Sequence, residues 1–200
     1  ACCSAAGWLL SALGQLNGPG YVFFFGIVSV TLLVWRKTFP LGNQLPNQSI
    51  IRTRWQRTQC RFRRPLPLVF LVLAVLALIG GALYAPNNYD ALTYRTPRVL
   101  HWLAEGQWHW VHSQNARLNT RVCGIEWLSA PLILLTRTDR LIFLINALSF
   151  LLLPGLIFSC FTRLRISGRV AWPWMWLLPT GYNFALQAGS VGNDSFAAVY

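Results

Sequence analysis

The sequence predicts an all-α integral membrane protein, a multi-span helical bundle whose first extracytoplasmic loop is long and carries interfacial helices. Three observations predict this class. Of the 200 residues, 54% are hydrophobic and only 11% are charged, whereas soluble domains carry about 25% charged residues. Apolar runs long enough to cross a bilayer recur along the chain. The five acidic residues all lie at or after position 90, which places the polar chemistry in particular loops.

Five apolar segments are expected to form helices, and each crossing of a bilayer needs about 20 residues. The first segment ends near Gly14, and a polar turn containing Gly and Pro separates it from the second. Because Ala1 already lies inside an apolar stretch, we expect this first helix to be truncated and the chain to be a fragment of a longer protein. The other four spans are predicted at residues 21–35, 68–85, 141–162 and 170–193.

The predicted organisation is a helical hairpin at residues 1–35, a basic loop at 36–66 and the start of a larger membrane domain at 67–200. Residues 36–64 hold eight basic residues without an acid, and residues 162–169 hold three arginines. Basic loops stay cytoplasmic, so both segments are predicted inside a plasma (inner) membrane and the loop between the third and fourth spans outside. Basic residues set between apolar runs favour contact with anionic membrane lipids and argue against nucleic-acid binding.

The long loop between the third and fourth predicted spans is expected to contain two short helices. Thr96 is a candidate N-cap with Pro97 as the first helical residue, and Gly106 is the expected end of this helix. A second apolar piece, residues 125–135, is too short to cross. Several tryptophans accompany both pieces, which is typical of helices that lie in the membrane interface.

Two motifs in this loop resemble those of a known family. Residues 87–94 read NNYDALTY and residues 97–102 read PRVLHW. Together they resemble the first outer loop of membrane glycosyltransferases with the GT-C fold, in particular bacterial relatives of the protein O-mannosyltransferases and of the lipid A aminoarabinose transferase. Gln187 and the Asn193–Asp194 pair are similar to the second outer loop of that group. The resemblance covers roughly residues 68–200 and therefore implies that 67–200 begins a GT-C-like domain.

The resemblance implies an enzyme that moves a sugar from a polyprenyl-phosphate donor to a lipid, glycan or protein acceptor on the extracytoplasmic side. Asp90 would be the general base that takes the proton of the acceptor hydroxyl, and Asp194 would be a second catalytic acid that converges on the same cavity. Arg95 stands where many relatives of this kind carry His. The residues expected to bind substrate are Tyr94, Arg95, Arg98, His101 and Asn193.

Other interpretations of these residues remain open from the sequence. Asp90 and Asp194 could each be helix caps or turn residues, and the arginines could pair with Glu105, Glu126 or lipid headgroups. No metal site and no certain cofactor is predicted, although the resemblance leaves a divalent metal open at the loop histidines. A polytopic transporter or lipid flippase is the alternative function, but the predicted spans carry no acid or base at mid-membrane. A membrane subunit without catalytic activity is a third possibility.

The predicted orientation can be tested with single-cysteine variants. We expect an impermeant thiol reagent applied from outside the cell to label a cysteine placed at Asn115 and not one placed at Asn47. The physical reason is the excess of basic residues around Asn47, which holds that loop in the cytoplasm. Labelling in the reverse pattern would contradict both the orientation and an outward-facing active site.

Overall fold

A computed structural model of the chain describes residues 2–38, 62–121, 123–192 and 194–199, the last of these with the side chains of Asp194 and Ser195 left out. All the regular secondary structure in this described part is helical. Most of the predicted basic loop, residues 39–61, lies outside it. The α-helices, numbered in chain order, are α1 (Cys2–Ala12), α2 (Gly18–Thr38), α3 (Pro65–Leu83), α4 (Thr96–Glu105), α5 (Arg117–Thr120), α6 (Glu126–Thr136), α7 (Phe143–Arg163), α8 (Gly168–Leu177), α9 (Tyr182–Ala188) and α10 (Asp194–Ala197).

Among the described residues, three helices are long and apolar enough to cross a membrane: α2, α3 and α7. They confirm helices at the predicted positions 21–35, 68–85 and 141–162 to within a few residues. Many of their large apolar side chains are exposed, as Phe23 is at 71% and Leu71 at 54%. Apolar faces of this extent are stable only against lipid or another protein, which agrees with association with a membrane. Helix α1 has 11 residues, fewer than the roughly 20 of a crossing helix.

The fifth predicted span, residues 170–193, is not one continuous helix, and that expectation is wrong. Helix α8 ends at Leu177, a 3-10 turn follows at Leu178–Thr180, and α9 begins at Tyr182. Pro179 lacks a backbone N–H and its ring crowds the preceding turn, so the α-helical hydrogen bonds end and the tighter 3-10 turn forms there. Gly181 then takes an extended conformation, with φ −54° and ψ 144°.

The predicted helix at residues 97–105 is present as α4, and Gly106 ends it in the left-handed conformation, with φ 70°. Its predicted start is wrong, because Thr96 is helical rather than an N-cap. The helix continues backwards through a π-helical turn at Ala91–Arg95. Pro97 cannot donate to the preceding turn, and the wider π-turn accommodates its ring without breaking the helix.

The N-terminal hairpin packs against the long loop. The aromatic ring of Trp127 in α6 lies directly on Gly7 of α1. The Trp108 amide donates to Ser11 Oγ at 2.6 Å, and the Leu16 amide donates to the Gly106 carbonyl at 2.8 Å. The predicted apolar piece at 125–135 is α6, and one of its faces is buried against α1, α2 and α4.

Helices α3, α7, α8 and α9 pack around a hydrophobic core of Phe70, Phe150 and Trp176, separate from the contacts of the N-terminal hairpin. Arg64, just before α3, and Arg169, in the first turn of α8, line one cavity. Arg64 and Arg169, one from each predicted basic segment, therefore lie at one end of the bundle, which we call the basic end. The loop that carries Asp90 leaves α3 at the opposite end, which we call the Asp90 end.

Two neighbouring glycines of α3 provide a matched test of this packing. A Cβ atom added at Gly81 would lie 2.3 Å from the Phe143 ring, whereas one at Gly80 would meet open space. We expect Gly81→Ala to lower the free energy of unfolding by about 1–3 kcal/mol, the usual cost of overpacking. Gly80→Ala should leave it unchanged or raise it slightly, because alanine favours a helix. Thermal unfolding of both variants in the same detergent would check this, and equal midpoints would contradict the close contact.

Candidate functional site

A cavity of about 340 Å³ opens at the Asp90 end of the bundle. It lies between the start of the long loop and the end of α9 with the segment that follows it, two regions about a hundred residues apart in sequence. The residues that line it are Asn87, Asn88, Asp90, Leu186, Gln187, Ser190 and Gly192. A second cavity of about 290 Å³ shares Asn87, Leu186 and Ser190 with it and extends along α3 past Gly80 to Ala77. The structure therefore brings the two motif-bearing regions together.

Close packing of α3 against the end of α9 makes this convergence possible. A Cβ atom at Gly189 would lie 2.6 Å from the Ala77 carbonyl oxygen, so only glycine permits this approach. Small residues allow helices to come this close in membrane proteins. The third and fifth predicted apolar segments therefore pack against each other, even though the fifth is broken.

Asp90 lies in the first turn of the helix that leads into α4. The cap of this turn is Asn88, whose Oδ1 accepts a hydrogen bond from the Ala91 amide at 3.2 Å. The Asp90 side chain is 44% exposed, and Asp90 Oδ1 lies 3.8 Å from Arg117 Nη1. An ion pair this exposed contributes little to stability, so the Asp90 carboxylate is accessible from the cavity rather than committed to holding the fold.

Asn146 fixes the opposite wall of the cavity, and the sequence analysis did not identify it. It lies in the first turn of α7 and is fully buried. Its side-chain amide Nδ2 donates to the Ser190 carbonyl at 2.9 Å and to the Gly192 carbonyl at 2.6 Å. An asparagine within a predicted apolar span was the available signal, because such side chains commonly join helices by hydrogen bonds.

The second predicted carboxylate follows directly after this wall. Gly192 lines the cavity, and Asp194 begins α10 two residues later. Asn193 and the side chain of Asp194 lie outside the described residues. The convergence of Asp90 and Asp194 on one cavity therefore stays a prediction.

A buried ion cluster lies within the same loop. The Arg98 guanidinium is 1% exposed and donates to the Glu126 carboxylate and, at 2.6 Å, to the Arg121 carbonyl. Arg95 Nη1 lies 3.6 Å from the same carboxylate, which is fully buried. The pairing with Glu126 that the sequence left open for these arginines is the arrangement in the structure. Arg98 is consequently enclosed by protein and lies away from the cavity wall.

Tyr94 lies in the π-helical turn that follows Asp90 and contacts this cluster. Its ring is 4% exposed, and the Arg95 guanidinium lies 5.2 Å from the ring centre. Burial raises the pKa of Tyr94, Arg95 opposes that shift, and the neighbouring Asp90 raises the pKa further. The Tyr94 hydroxyl therefore stays protonated at neutral pH.

His101 lies on the exposed face of α4, and its ring is 6.4 Å from the His109 ring. Within the described ranges, no group of three or more His, Cys, Asp or Glu side chains is placed to hold a metal ion. Of the predicted site residues, Asp90 lines the cavity. Tyr94, Arg95 and Arg98 do not line it and are buried in the loop. His101 lies outside both the cavity and the ion cluster.

Comparisons with known proteins give no relative for this chain: no family model, no curated protein and no solved structure matches it.

The ion cluster can be tested with two glutamates of the loop. Glu126→Gln leaves the buried Arg95 and Arg98 charges without a counter-charge, which costs about 3–5 kcal/mol when one partner of a buried pair is removed. Glu105 is exposed at the end of α4, and Glu105→Gln should change the free energy of unfolding by less than about 0.5 kcal/mol. Denaturant unfolding in detergent would measure both. An equal effect of the two substitutions would contradict the role assigned to Glu126.

Proposed function

We propose that the protein is a membrane glycosyltransferase that moves a sugar from a polyprenyl-phosphate donor to an acceptor hydroxyl on the extracytoplasmic side. The observation that carries the proposal is the accessible Asp90 carboxylate in a cavity where two distant loops meet, at one end of an apolar helical bundle. The resemblance of residues 87–94 and 97–102 to the first outer loop of GT-C enzymes supports the same function.

The proposed chemistry starts at the Asp90 carboxylate. An alcohol is a weak nucleophile until a positioned base removes its proton. Asp90 accepts the proton of the acceptor hydroxyl while that oxygen attacks the anomeric carbon of the sugar. The bond between this carbon and the phosphate oxygen breaks, and the polyprenyl phosphate departs with the bonding electrons. The amide and hydroxyl groups of Asn87, Gln187 and Ser190 match the hydroxyls of a sugar in the same cavity.

The departing phosphate requires positive charge nearby, because negative charge develops on its oxygens. Arg117 supports this role: its guanidinium is 46% exposed and lies 3.8 Å from Asp90. The buried Arg98 is enclosed by Glu126 and the Arg121 carbonyl, so its role is to hold α4 in position rather than to contact the phosphate. The second cavity, along α3 and α9, supports a lipid-linked donor because it extends from the Asp90 cavity beside a candidate span.

The experiment that tests the function is transfer of radiolabel from candidate polyprenyl-phosphate sugars in membranes that contain the protein. Asp90→Asn should insert and fold normally but lose about 10²–10⁴-fold in transfer rate, the usual contribution of a general base. Asp139→Asn, a carboxylate of the same loop outside the cavity lining, should keep its activity. Near-normal transfer by the Asp90 variant would remove Asp90 from the mechanism. Absence of transfer from every donor by the unaltered protein would count against the function itself.

A further inference from the structure

The basic end of the bundle contains a cavity that the proposed reaction does not use. Its volume is about 460 Å³, within the range of about 300–1,000 Å³ that is typical of ligand sites. Arg64 and Arg169 contribute its charge, and Phe158 and Trp172 contribute aromatic surface. Gly168 completes the lining, and the position of its absent side chain is open space.

The two arginines stand where a helix disfavours positive charge. Arg64 is the N-cap of α3, and Arg169 is in the first turn of α8. Both helices point their N-terminal, positive dipole ends at the cavity, and neither has an acidic residue in its first turn. By contrast, Arg163 lies in the last turn of α7, where the helix dipole favours a cation.

No protein carboxylate compensates this charge within the part of the chain that the structure describes: the ion pairs there are those of Glu126 and Asp90, and the Arg64 and Arg169 side chains are exposed. Two exposed guanidinium groups and the N-terminus of α8 around one cavity match a phosphate group, whose oxygens accept several hydrogen bonds at once. The N-terminus of α3 adds its dipole but few donors, because Pro65 and Pro67 lack a backbone N–H.

We propose that this cavity binds the phosphate of an anionic phospholipid headgroup. The choice of a lipid, rather than a soluble phosphate, follows from its place at the end of two candidate spans, α3 and α7. Tryptophans are enriched at the membrane–water interface, and Trp172 and Trp174 both lie on α8, the helix that carries Arg169. Basic pockets between spanning helices are a recurrent way to bind anionic headgroups. The site is independent of the proposed transfer reaction.

The test is the lipid retained by the purified protein from bilayers of mixed composition. The protein would be reconstituted into nanodiscs with equal amounts of phosphatidylglycerol and phosphatidylcholine, extracted into detergent, and analysed by native mass spectrometry. We expect the unaltered protein to retain phosphatidylglycerol about tenfold over phosphatidylcholine. Arg64→Gln with Arg169→Gln should bring this ratio close to one.

A matched control makes the same change of charge at the other end of the bundle. Arg137 and Arg140 are exposed and precede α7 at the Asp90 end, so Arg137→Gln with Arg140→Gln should keep the tenfold preference. Equal loss in the two double variants would overturn the proposal, because it would reflect net charge alone. Equal retention of both lipids by the unaltered protein would also overturn it, whether or not the variants fold. Displacement of the retained lipid by millimolar glycerol phosphate would show a soluble phosphate site instead.

Discussion

The buried carboxylate of Glu126 is the interaction on which the loop at the Asp90 end depends. It joins Arg98 and Arg95, one helical turn apart, to the start of α6, and Arg98 also binds the carbonyl of Arg121. Buried charges are costly unless they are paired and hydrogen-bonded. These ion pairs tie α4 to α6 and the intervening segment, so the loop has a defined shape despite its length, although Arg95 Nε, Arg98 Nε and Glu126 Oε2 have no hydrogen-bond partner.

This shape determines how Asp90 is presented. The π-helical turn at Ala91–Arg95 connects Asp90 to α4, and the ion cluster fixes α4. Tyr94 belongs to this turn, and its buried ring lies against the Arg95 guanidinium. Residues in π-turns are frequent at functional sites. The buried ion cluster therefore fixes the backbone that carries the candidate base, while the Asp90 carboxylate itself lines the cavity.

The opposite wall of the cavity is built by different forces, which are close packing and hydrogen bonds within the apolar bundle. Gly189 allows the end of α9 to touch the backbone of α3, and the Asn146 amide holds the carbonyls of Ser190 and Gly192. In an apolar environment such groups have few other partners, so they define one register between the helices. The cavity exists because both walls are fixed independently.

The sequence by itself determined the three long apolar helices and the helix that ends at Gly106. These depend on local composition along the chain. The tertiary structure decided that Arg98 pairs with Glu126, that Asn88 rather than Asp90 is the cap, and that Asn146 supports the cavity. Each of these depends on contacts whose geometry no local pattern encodes, since propensity and hydropathy report on neighbours in sequence, whereas a buried polar group must find its partner in space.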